Sequence, residues 1–351
     1  MRKVLVKVII LILIFSAAGC AGQPEQTAAF RAAVYLENTD DSRLMQVHNV
    51  MQTRVGQWED IEITLIDYSD EDFELAQSVQ ETIDQGYNLV VFYSELPVPD
   101  LVLDGLGNAG IPLIIWNAPS TDDQTLDMYE QVWLVGCKAE EAGWIQGQAA
   151  AEYWRTFRES DRNRNWTMEY VVLMGRPGWY DTMMRSRYAV LALQEQGIPE
   201  HCLATRLIES DPRKAQKVMA ELISLYENDI EFILCTDDEL ALGAIWALQE
   251  AGYFGDGEHI PVLGAGASEA GLQEIRNGTL LTSSQQDVTA IGETIMAIIR
   301  LIADGRSITL ESLNGSGNWM PSFRLEMDEH GRILAHYRRV DALNIFRETW
   351  Y

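Results

Sequence analysis

The chain has 351 residues, a length that exceeds one ordinary domain and suits two lobes, each with a hydrophobic core of its own. Its 53 acidic residues against 26 basic ones give a formal net charge of -27. So acidic a chain repels nucleic acid and anionic lipid surfaces, because both bind clustered Lys and Arg. We therefore exclude nucleic acid as a partner and interpret the acidic residues as a solubilising surface.

Residues 1–19 are typical of an export signal. A basic head is followed by an unbroken apolar run from Val8 to Phe15, too short for a helix that spans a membrane. Small residues precede Cys20, an ending that resembles the signal of bacterial lipoproteins, in which the cysteine becomes the first mature residue and carries the lipid. The resemblance implies lipidation of Cys20 and anchoring to the membrane in the extracytoplasmic cell envelope. Residues 20–29 are then a polar tether.

Short β-rich runs alternate with segments of helical period from Phe30 to about Ala303, a pattern that predicts an α/β fold with parallel sheets covered by helices. The predicted strands are 32–36, 61–66, 89–93, 113–116, 132–135, 170–174, 230–235, 261–263 and 280–284. Apolar spacings of three and four predict helices most clearly at 140–157, 181–196, 239–251 and 290–302. Two strand-like runs after Gly305, near 323–327 and 333–337, are expected to complete both lobes.

The sequence favours binding over catalysis. No phosphate-binding glycine loop follows a strand, and the histidines form no ligand pair at helical spacing. Asp40 and Asp41 are adjacent, which does not establish two carboxyls across one glycosidic bond, so a glycoside-acting enzyme stays the weaker alternative. Cys137, Cys202 and Cys235 show no CxxC spacing, and we interpret them as small buried residues.

Polar residues collect directly after predicted strands, where ligands of open parallel sheets bind. Carboxylates, amides and a guanidinium in this mixture suit an uncharged polyol. Asp181 and Arg185 lie one helical turn apart on one face, which favours a joint role in ligand contact. The competing interpretation is that Asp181 and Asp237 cap the helices that they begin.

Several stretches resemble the galactose/glucose-binding proteins of the type I periplasmic binding protein superfamily. The stretches are Val135-Gly136, residues 141–147, 175–185, 230–244, 260–264, 277–280 and 303–305, in an order and spacing that cover most of residues 30–345. The resemblance implies two Rossmann-like lobes joined by three hinge crossings, near Cys137, Gln286 and residues 334–336. It divides the chain into an N-terminal lobe of residues 30–136 plus 287–334 and a C-terminal lobe of residues 137–286 plus 335–351.

The same resemblance implies a set of ligand contacts. Four positions carry the residue types of the family, Asp237 and Gln286 stand where it has asparagines, and Trp179 replaces its histidine. The full predicted set is Asp41, Asn117, Trp179, Asp181, Arg185, Asp237 and Gln286. Arg43 and Ser210 replace the two aromatic residues that sandwich the sugar, which leaves four candidates for a substitute ring: Tyr35, Tyr93, Trp116 and Trp179.

By this resemblance the protein is a monomeric, non-enzymatic solute-binding lipoprotein that captures a galactose- or glucose-like monosaccharide for the permease of an ABC importer. The altered pocket leaves the identity of the sugar open. Because the fold also serves signalling, a sugar-sensing co-receptor for a chemoreceptor or a histidine kinase remains the alternative.

One polar loop has the ligand spacing of an EF-hand, with oxygen-bearing residues at alternate positions from Asp161 to Glu169. In the family this loop binds calcium and a distant glutamate completes the shell. The implied calcium ligands are Asp161, Asn163, Asn165, Thr167, Glu169 and Glu231. Trp166 stands where glycine is expected, and Arg162 and Arg164 add positive charge, so a solvated polar loop without metal remains open.

Overall fold

The computed structural model describes residues 30–36, 42–68, 74–93, 98–117, 131–175, 180–255, 259–314, 325–328 and 331–345. In that part of the chain two sheets, both mostly parallel, are each covered by helices. The predicted α/β class with two lobes is confirmed. Cys20, Asp41 and Trp179 lie outside the described residues.

The strands begin and end as follows: β1 Phe30–Leu36, β2 Ile61–Asp67, β3 Leu89–Tyr93, β4 Leu113–Trp116, β5 Val132–Cys137, β6 Met168–Met174, β7 Glu200–Leu207, β8 Phe232–Cys235, β9 Val262–Leu263, β10 Thr282–Gln286, β11 Glu326–Met327, β12 Ile333–Ala335 and β13 Tyr337–Asp341. The helices are α1 Ser42–Val55, α2 Leu75–Asp84, α3 Asp100–Ala109, α4 Ala139–Thr156, α5 Tyr180–Glu195, α6 Pro212–Tyr226, α7 Asp238–Glu250, α8 Glu269–Asn277, α9 Val288–Ala303 and α10 Leu310–Asn314.

The first sheet has the order β11-β12-β5-β4-β3-β1-β2 and the second the order β13-β10-β9-β8-β6-β7. Only the pairs β11–β12 and β10–β13 are antiparallel among the described strands. The chain passes between the sheets after β5, after β10 and between β12 and β13. These passages are the three crossings that the predicted fold requires.

Central strands form because they are apolar on both faces, as parallel sheets between helix layers require. Every residue of β3, Leu89–Tyr93, and of β4, Leu113–Trp116, is buried. One face of the first sheet packs on α1 and α9, and the other on α2 and α3. The second sheet is covered in the same way, with α4 and α5 on one face and α6 and α7 on the other.

Helices α4 and α5 pack unusually closely because two glycines of α4 face the backbone of α5. A Cβ atom on Gly143 would lie 2.1 Å from the Arg185 carbonyl oxygen. One on Gly147 would lie 2.2 Å from the Ala189 carbonyl oxygen. This contact fixes where the Arg185 segment sits over the ends of the strands.

The structure departs from the sequence prediction at β7, at Cys202, and after residue 333, where one predicted strand is two strands, β12 and β13, in different sheets. The edge strand β7, Glu200–Leu207, was not predicted, because most of its side chains are exposed and polar and carry no continuous apolar signal. Cys202 lies on that strand and is exposed, so the interpretation of all three cysteines as buried is wrong. Among the described helices, none combines the length and the apolar character needed to cross a membrane.

Candidate functional site

Residues that follow parallel strands lie at the carboxyl edges of the two sheets. Asn117 directly follows β4, Asp237 comes two residues after β8, and Gln286 is the last residue of β10. Helix α5, which begins at Tyr180, carries Asp181 and Arg185 to the edge of the second sheet. Side chains at such edges are placed to meet a ligand.

Arg185 is the centre of a hydrogen-bonded network. Its Nη1 donates to the Thr236 carbonyl oxygen over 3.0 Å and its Nη2 to the Tyr337 hydroxyl over 2.9 Å. Asp181 Oδ2 lies 3.5 Å from Nη2, the ion pair expected for residues one helical turn apart. The fold therefore brings Asp181 and Arg185 together, and Arg185 also supports the backbone beside Asp237.

Gln286 joins the same network through Tyr337. The Gln286 Nε2 donates to the Tyr337 hydroxyl over 2.9 Å, and the two residues are register partners in the antiparallel pair β10–β13. Burial raises the pKa of the Tyr337 hydroxyl to about 12, so it is protonated at neutral pH. Sequence reasoning missed Tyr337, because only the pairing of β13 with β10 places it beside the predicted ligand residues.

Asp237 has two structural partners. Its Oδ1 accepts the Leu240 amide N–H over 2.9 Å and so caps α7, while its Oδ2 accepts the Ser210 hydroxyl over 2.8 Å. The capping role considered from sequence is therefore present. A carboxylate has further lone pairs, so this cap leaves room for ligand contact.

Asp238, the next residue, is buried beneath the site. Its carboxylate accepts the Ser283 hydroxyl and the Ser268 amide N–H, each over 2.7 Å. Burial raises its pKa to about 6. Together these bonds join the first residue of α7 to β10 and to the loop between β9 and α8.

The three crossings contact one another at the base of the lobes. The Lys138 amide N–H donates to the Ala335 carbonyl oxygen over 3.3 Å, and the Asp287 N–H to the His336 carbonyl oxygen over 3.4 Å. Glu141, in the first turn of α4, lies 2.6 Å from His336 Nδ1. The same carboxylate accepts the Tyr337 N–H over 2.9 Å, so Glu141 holds the third crossing.

Of the remaining predicted ligand residues, only Asn117 lies in the described part of the chain. Asn117 takes a left-handed backbone with φ of 65°, and its N–H donates to the Val135 carbonyl oxygen. Asp41 and Trp179 fall outside the described residues. Three of the four candidate aromatic rings are core residues instead, since Tyr35, Tyr93 and Trp116 are at most 5% exposed.

In the predicted calcium loop, side-chain oxygens accept hydrogen bonds from backbone N–H groups of the same loop. Asp161 accepts the Asn165 N–H over 3.0 Å and the Trp166 N–H over 3.2 Å, and Asn165 accepts the Thr167 N–H over 2.8 Å. Trp166 takes a φ of 65°, the left-handed conformation that glycine usually supplies at this position. The turn thus forms with tryptophan in place of glycine.

A buried carboxylate lies beside the loop. Glu231 is 0% exposed, and its carboxylate accepts the N–H groups of Arg162 and Glu169 over 2.6 and 3.0 Å. Burial, with Asp161 nearby, raises the pKa of Glu231 to about 7. The Arg162 guanidinium donates to the Ile230 carbonyl oxygen over 2.9 Å and so has a partner of its own.

The loop does not hold a metal by acidic side chains alone. Among the described residues, no group of three or more His, Cys, Asp and Glu side chains forms a metal site. A cation would also need the Asn163 and Asn165 amide oxygens and the Thr167 carbonyl. This all-oxygen set is the donor chemistry of calcium.

A family profile described as the periplasmic binding protein domain matches residues 33–307. The D-galactose/methyl-galactoside binding periplasmic protein of Haemophilus influenzae is 31% identical over 200 residues, which are 57% of this chain and 59% of that protein. The match therefore spans about three fifths of the relative's length.

Solved structures share the fold at low identity. An ABC transporter solute-binding protein from Bacillus halodurans with bound myo-inositol has a TM-score of 0.67 at 18% identity, covering 92% of this chain and 98% of its own. One from Actinobacillus succinogenes with bound D-allose has a TM-score of 0.68 at 14% identity, covering 91% and 99%. At these identities the likeness establishes the two-lobed fold.

Proposed function

Because this chain belongs to the family of periplasmic binding proteins, we propose that it captures an uncharged monosaccharide outside the cytoplasm and delivers it to the permease of an ABC importer. Membership confirms the resemblance found in the sequence. The family consists of solute-binding proteins and not of enzymes, which confirms the prediction that the chain is no catalyst.

The observation that carries the proposal is the network around Arg185 at the carboxyl edge of the second sheet. It offers charge-assisted donors from Arg185 beside acceptor oxygens of Asp181 and Asp237. Paired donors and acceptors match a polyol, whose hydroxyls both donate and accept. The relative from Haemophilus influenzae is a galactoside binder, and the two solved structures hold myo-inositol and D-allose, which supports the same ligand class.

A thermal-shift screen tests the ligand class. The probes are D-galactose, D-glucose, D-allose, D-ribose and myo-inositol, with glutamate and phosphate as charged controls. We expect at least one uncharged probe to raise the melting temperature in a concentration-dependent way, since a ligand that binds only the folded state stabilises it. A shift with a charged control alone, or with none of the probes, would refute the proposal.

The choice between transport and sensing depends on the partner of the closed protein. We favour an ABC permease, because the two solved proteins that share this fold are described as solute-binding proteins of ABC transporters. Reconstituting the protein with candidate permease and ATPase subunits in vesicles tests this. Sugar-stimulated ATP hydrolysis supports transport, whereas binding of the closed form to a chemoreceptor or kinase ectodomain without such stimulation supports sensing.

We further propose that the loop from Asp161 to Glu169 binds calcium with Glu231. Its backbone already curls around Asp161 and Asn165, and Glu231 contributes a buried carboxylate that accepts the backbone N–H groups of Arg162 and Glu169. A calcium ion would offset the burial of that carboxylate, and the loop would be structural, stabilising the second lobe.

Terbium luminescence gives a direct test, because Trp166 lies in the loop and can sensitise a bound lanthanide. We expect terbium emission on excitation of tryptophan, its loss on addition of calcium, and binding more than about tenfold weaker in Glu231→Gln. The matched control is Glu159→Gln, an exposed acid just before the loop. Equal affinities of both variants, or absence of emission in the unaltered protein, would exclude the site.

The lipid anchor on Cys20 is also a proposal, and it rests on the sequence pattern alone. Metabolic labelling with a palmitate analogue tests it, with Cys20→Ser as the comparison. We expect label and membrane association in the unaltered chain and neither in the variant. A membrane-free, unlabelled wild-type protein would contradict it.

A further inference from the structure

We propose that Tyr337 is a positioning residue of the ligand site, whose hydroxyl holds Arg185 and Gln286 together and links them to the third crossing between the lobes. The inference rests on the proposed sugar binding and deepens it. Tyr337 is absent from the contacts predicted from the sequence. It comes to the site only because β13 pairs with β10.

The Tyr337 hydroxyl oxygen accepts hydrogen bonds from two predicted ligand residues that lie on different elements. Arg185 on α5 and Gln286 at the end of β10 each donate to it over 2.9 Å. A phenol oxygen has two lone pairs, so these two donors fill its acceptor capacity. The orientation of the guanidinium and that of the amide therefore depend on the same atom.

The backbone of Tyr337 belongs to the hinge. Its N–H donates to Glu141 over 2.9 Å, and the neighbouring His336 ring contacts the same carboxylate. A change in the crossing therefore moves the hydroxyl that holds Arg185 and Gln286. Coupling between two sites is reciprocal, so a ligand that fixes these two side chains also biases the crossing.

The network retains donors that suit an oxygen-rich ligand. With its oxygen occupied as an acceptor, Tyr337 still has its own proton to donate, and no acceptor for it is found among the described residues. Arg185 Nε is likewise buried without a partner in the described part of the chain. A network with a purely structural role pairs its buried donors, whereas these two match the hydroxyl and ring oxygens of a polyol.

The first test removes only the hydroxyl. Tyr337→Phe should weaken binding of the tightest sugar from the screen by about tenfold or more, because a hydrogen bond to a charged group is lost and Arg185 is freed to rotate. Tyr35→Phe is the matched control, since its buried hydroxyl bonds to Thr82 over 2.7 Å in the first lobe. Tyr35→Phe should be less stable than the unaltered protein but bind the sugar with the same affinity. Equal losses of sugar affinity in both variants would overturn the proposal.

The second test asks whether Tyr337 acts through its neighbours. Titration calorimetry of Tyr337→Phe, Gln286→Ala and the double variant forms a cycle. We expect the Tyr337 substitution to cost several-fold less affinity when Gln286 is already alanine. Independent, additive losses would show that Tyr337 does not position Gln286 and would overturn this link.

A ligand-free measurement separates this inference from the sugar proposal. Hydrogen exchange should be faster in Tyr337→Phe than in the unaltered protein for peptides that contain Gln286 and His336, and unchanged there in Tyr35→Phe. If no sugar binds, the proposed function fails. Hydrogen exchange still tests whether the Tyr337 hydroxyl stabilises the third crossing. Unchanged exchange at both crossings would overturn the role of Tyr337 even if sugars bind normally.

Discussion

Arg185 combines a ligand role with a structural one, which decides how it can be tested. Its guanidinium donates at once to the Thr236 carbonyl and the Tyr337 hydroxyl, so truncation to alanine would also disturb the second lobe. A substitution that keeps the charge but not the planar fork is more informative. Lysine meets that requirement.

We therefore expect Arg185→Lys to bind the screened sugar about tenfold or more weakly, because an ammonium cannot reproduce the separate directions of the guanidinium donors. Calorimetric titration measures the affinity, and a thermal melt checks the fold. Arg187→Lys, an exposed site two residues along the same helix, should bind as the unaltered protein does. If Arg185→Lys bound the sugar as tightly as Arg187→Lys does, Arg185 would not belong to the ligand site.

Asp238 makes the stability of the second lobe depend on pH. Burial raises its pKa to about 6, whereas an unfolded aspartate titrates near 4. Between about pH 4 and pH 6 the folded protein therefore holds a proton that the unfolded chain has released. The stability from protonated Asp238 is fully present below about pH 4 and is lost as the pH rises through about 6.

A carboxyl with a pKa of about 6 in the folded protein and near 4 in the unfolded chain contributes about 3 kcal/mol. Denaturant unfolding of the wild type and of Asp238→Asn between pH 4.5 and 7.5 measures this term, since asparagine does not titrate. We expect the stability of the wild type relative to the variant to fall with rising pH, by up to about 3 kcal/mol. A difference that stays constant across that range would show that Asp238 titrates normally.

At the scale of elements, the contact between α4 and α5 depends on two glycines. A Cβ at position 147 would lie 2.2 Å from the Ala189 carbonyl oxygen and 2.6 Å from the Ala192 Cβ, so Gly147→Ala must push the helices apart. Overpacking of this kind costs about 1–3 kcal/mol. We expect a lower melting temperature and, because Arg185 lies on α5, weaker sugar binding as well.

The control for this substitution is Gly105→Ala in α3. A Cβ there would meet only Ile83 Cδ1, at 3.9 Å, which is ordinary contact. Alanine favours the helix by about 0.5–1 kcal/mol over glycine, so this variant should be as stable as the wild type or more so. Destabilisation of Gly105→Ala to the same degree would mean that close packing is not the cause at Gly147.

The elements that sequence predicted well are those buried on both faces. β3 and β4 are continuous apolar runs, and their predicted and observed bounds coincide. β7 was missed because an exposed edge strand carries no such run. Sequence placed Asp181 and Arg185 on one helix face, but it could not find Tyr337, whose position depends on a pairing between segments 51 residues apart.

At the scale of the whole molecule, three short crossings join two lobes that each have their own sheet and core. The crossings are held by a few hydrogen bonds between Lys138, Asp287 and the segment around Ala335 and His336. Lobes connected in this way can rotate about the crossings while their cores stay intact. The predicted ligand residues lie on both sides, Asn117 on the first lobe and Arg185 on the second.

A ligand that contacts both lobes therefore favours the closed arrangement, because only that state makes all of its contacts. We expect small-angle scattering to show a smaller radius of gyration once the screened sugar saturates the protein. At a sugar concentration near the dissociation constant of the wild type, Arg185→Lys should stay close to the ligand-free radius, since its affinity is about tenfold lower. A wild-type radius unchanged at saturation would mean that the sugar binds without closing the lobes, and the reciprocal link between Tyr337 and the third crossing would then have no conformational change to act on.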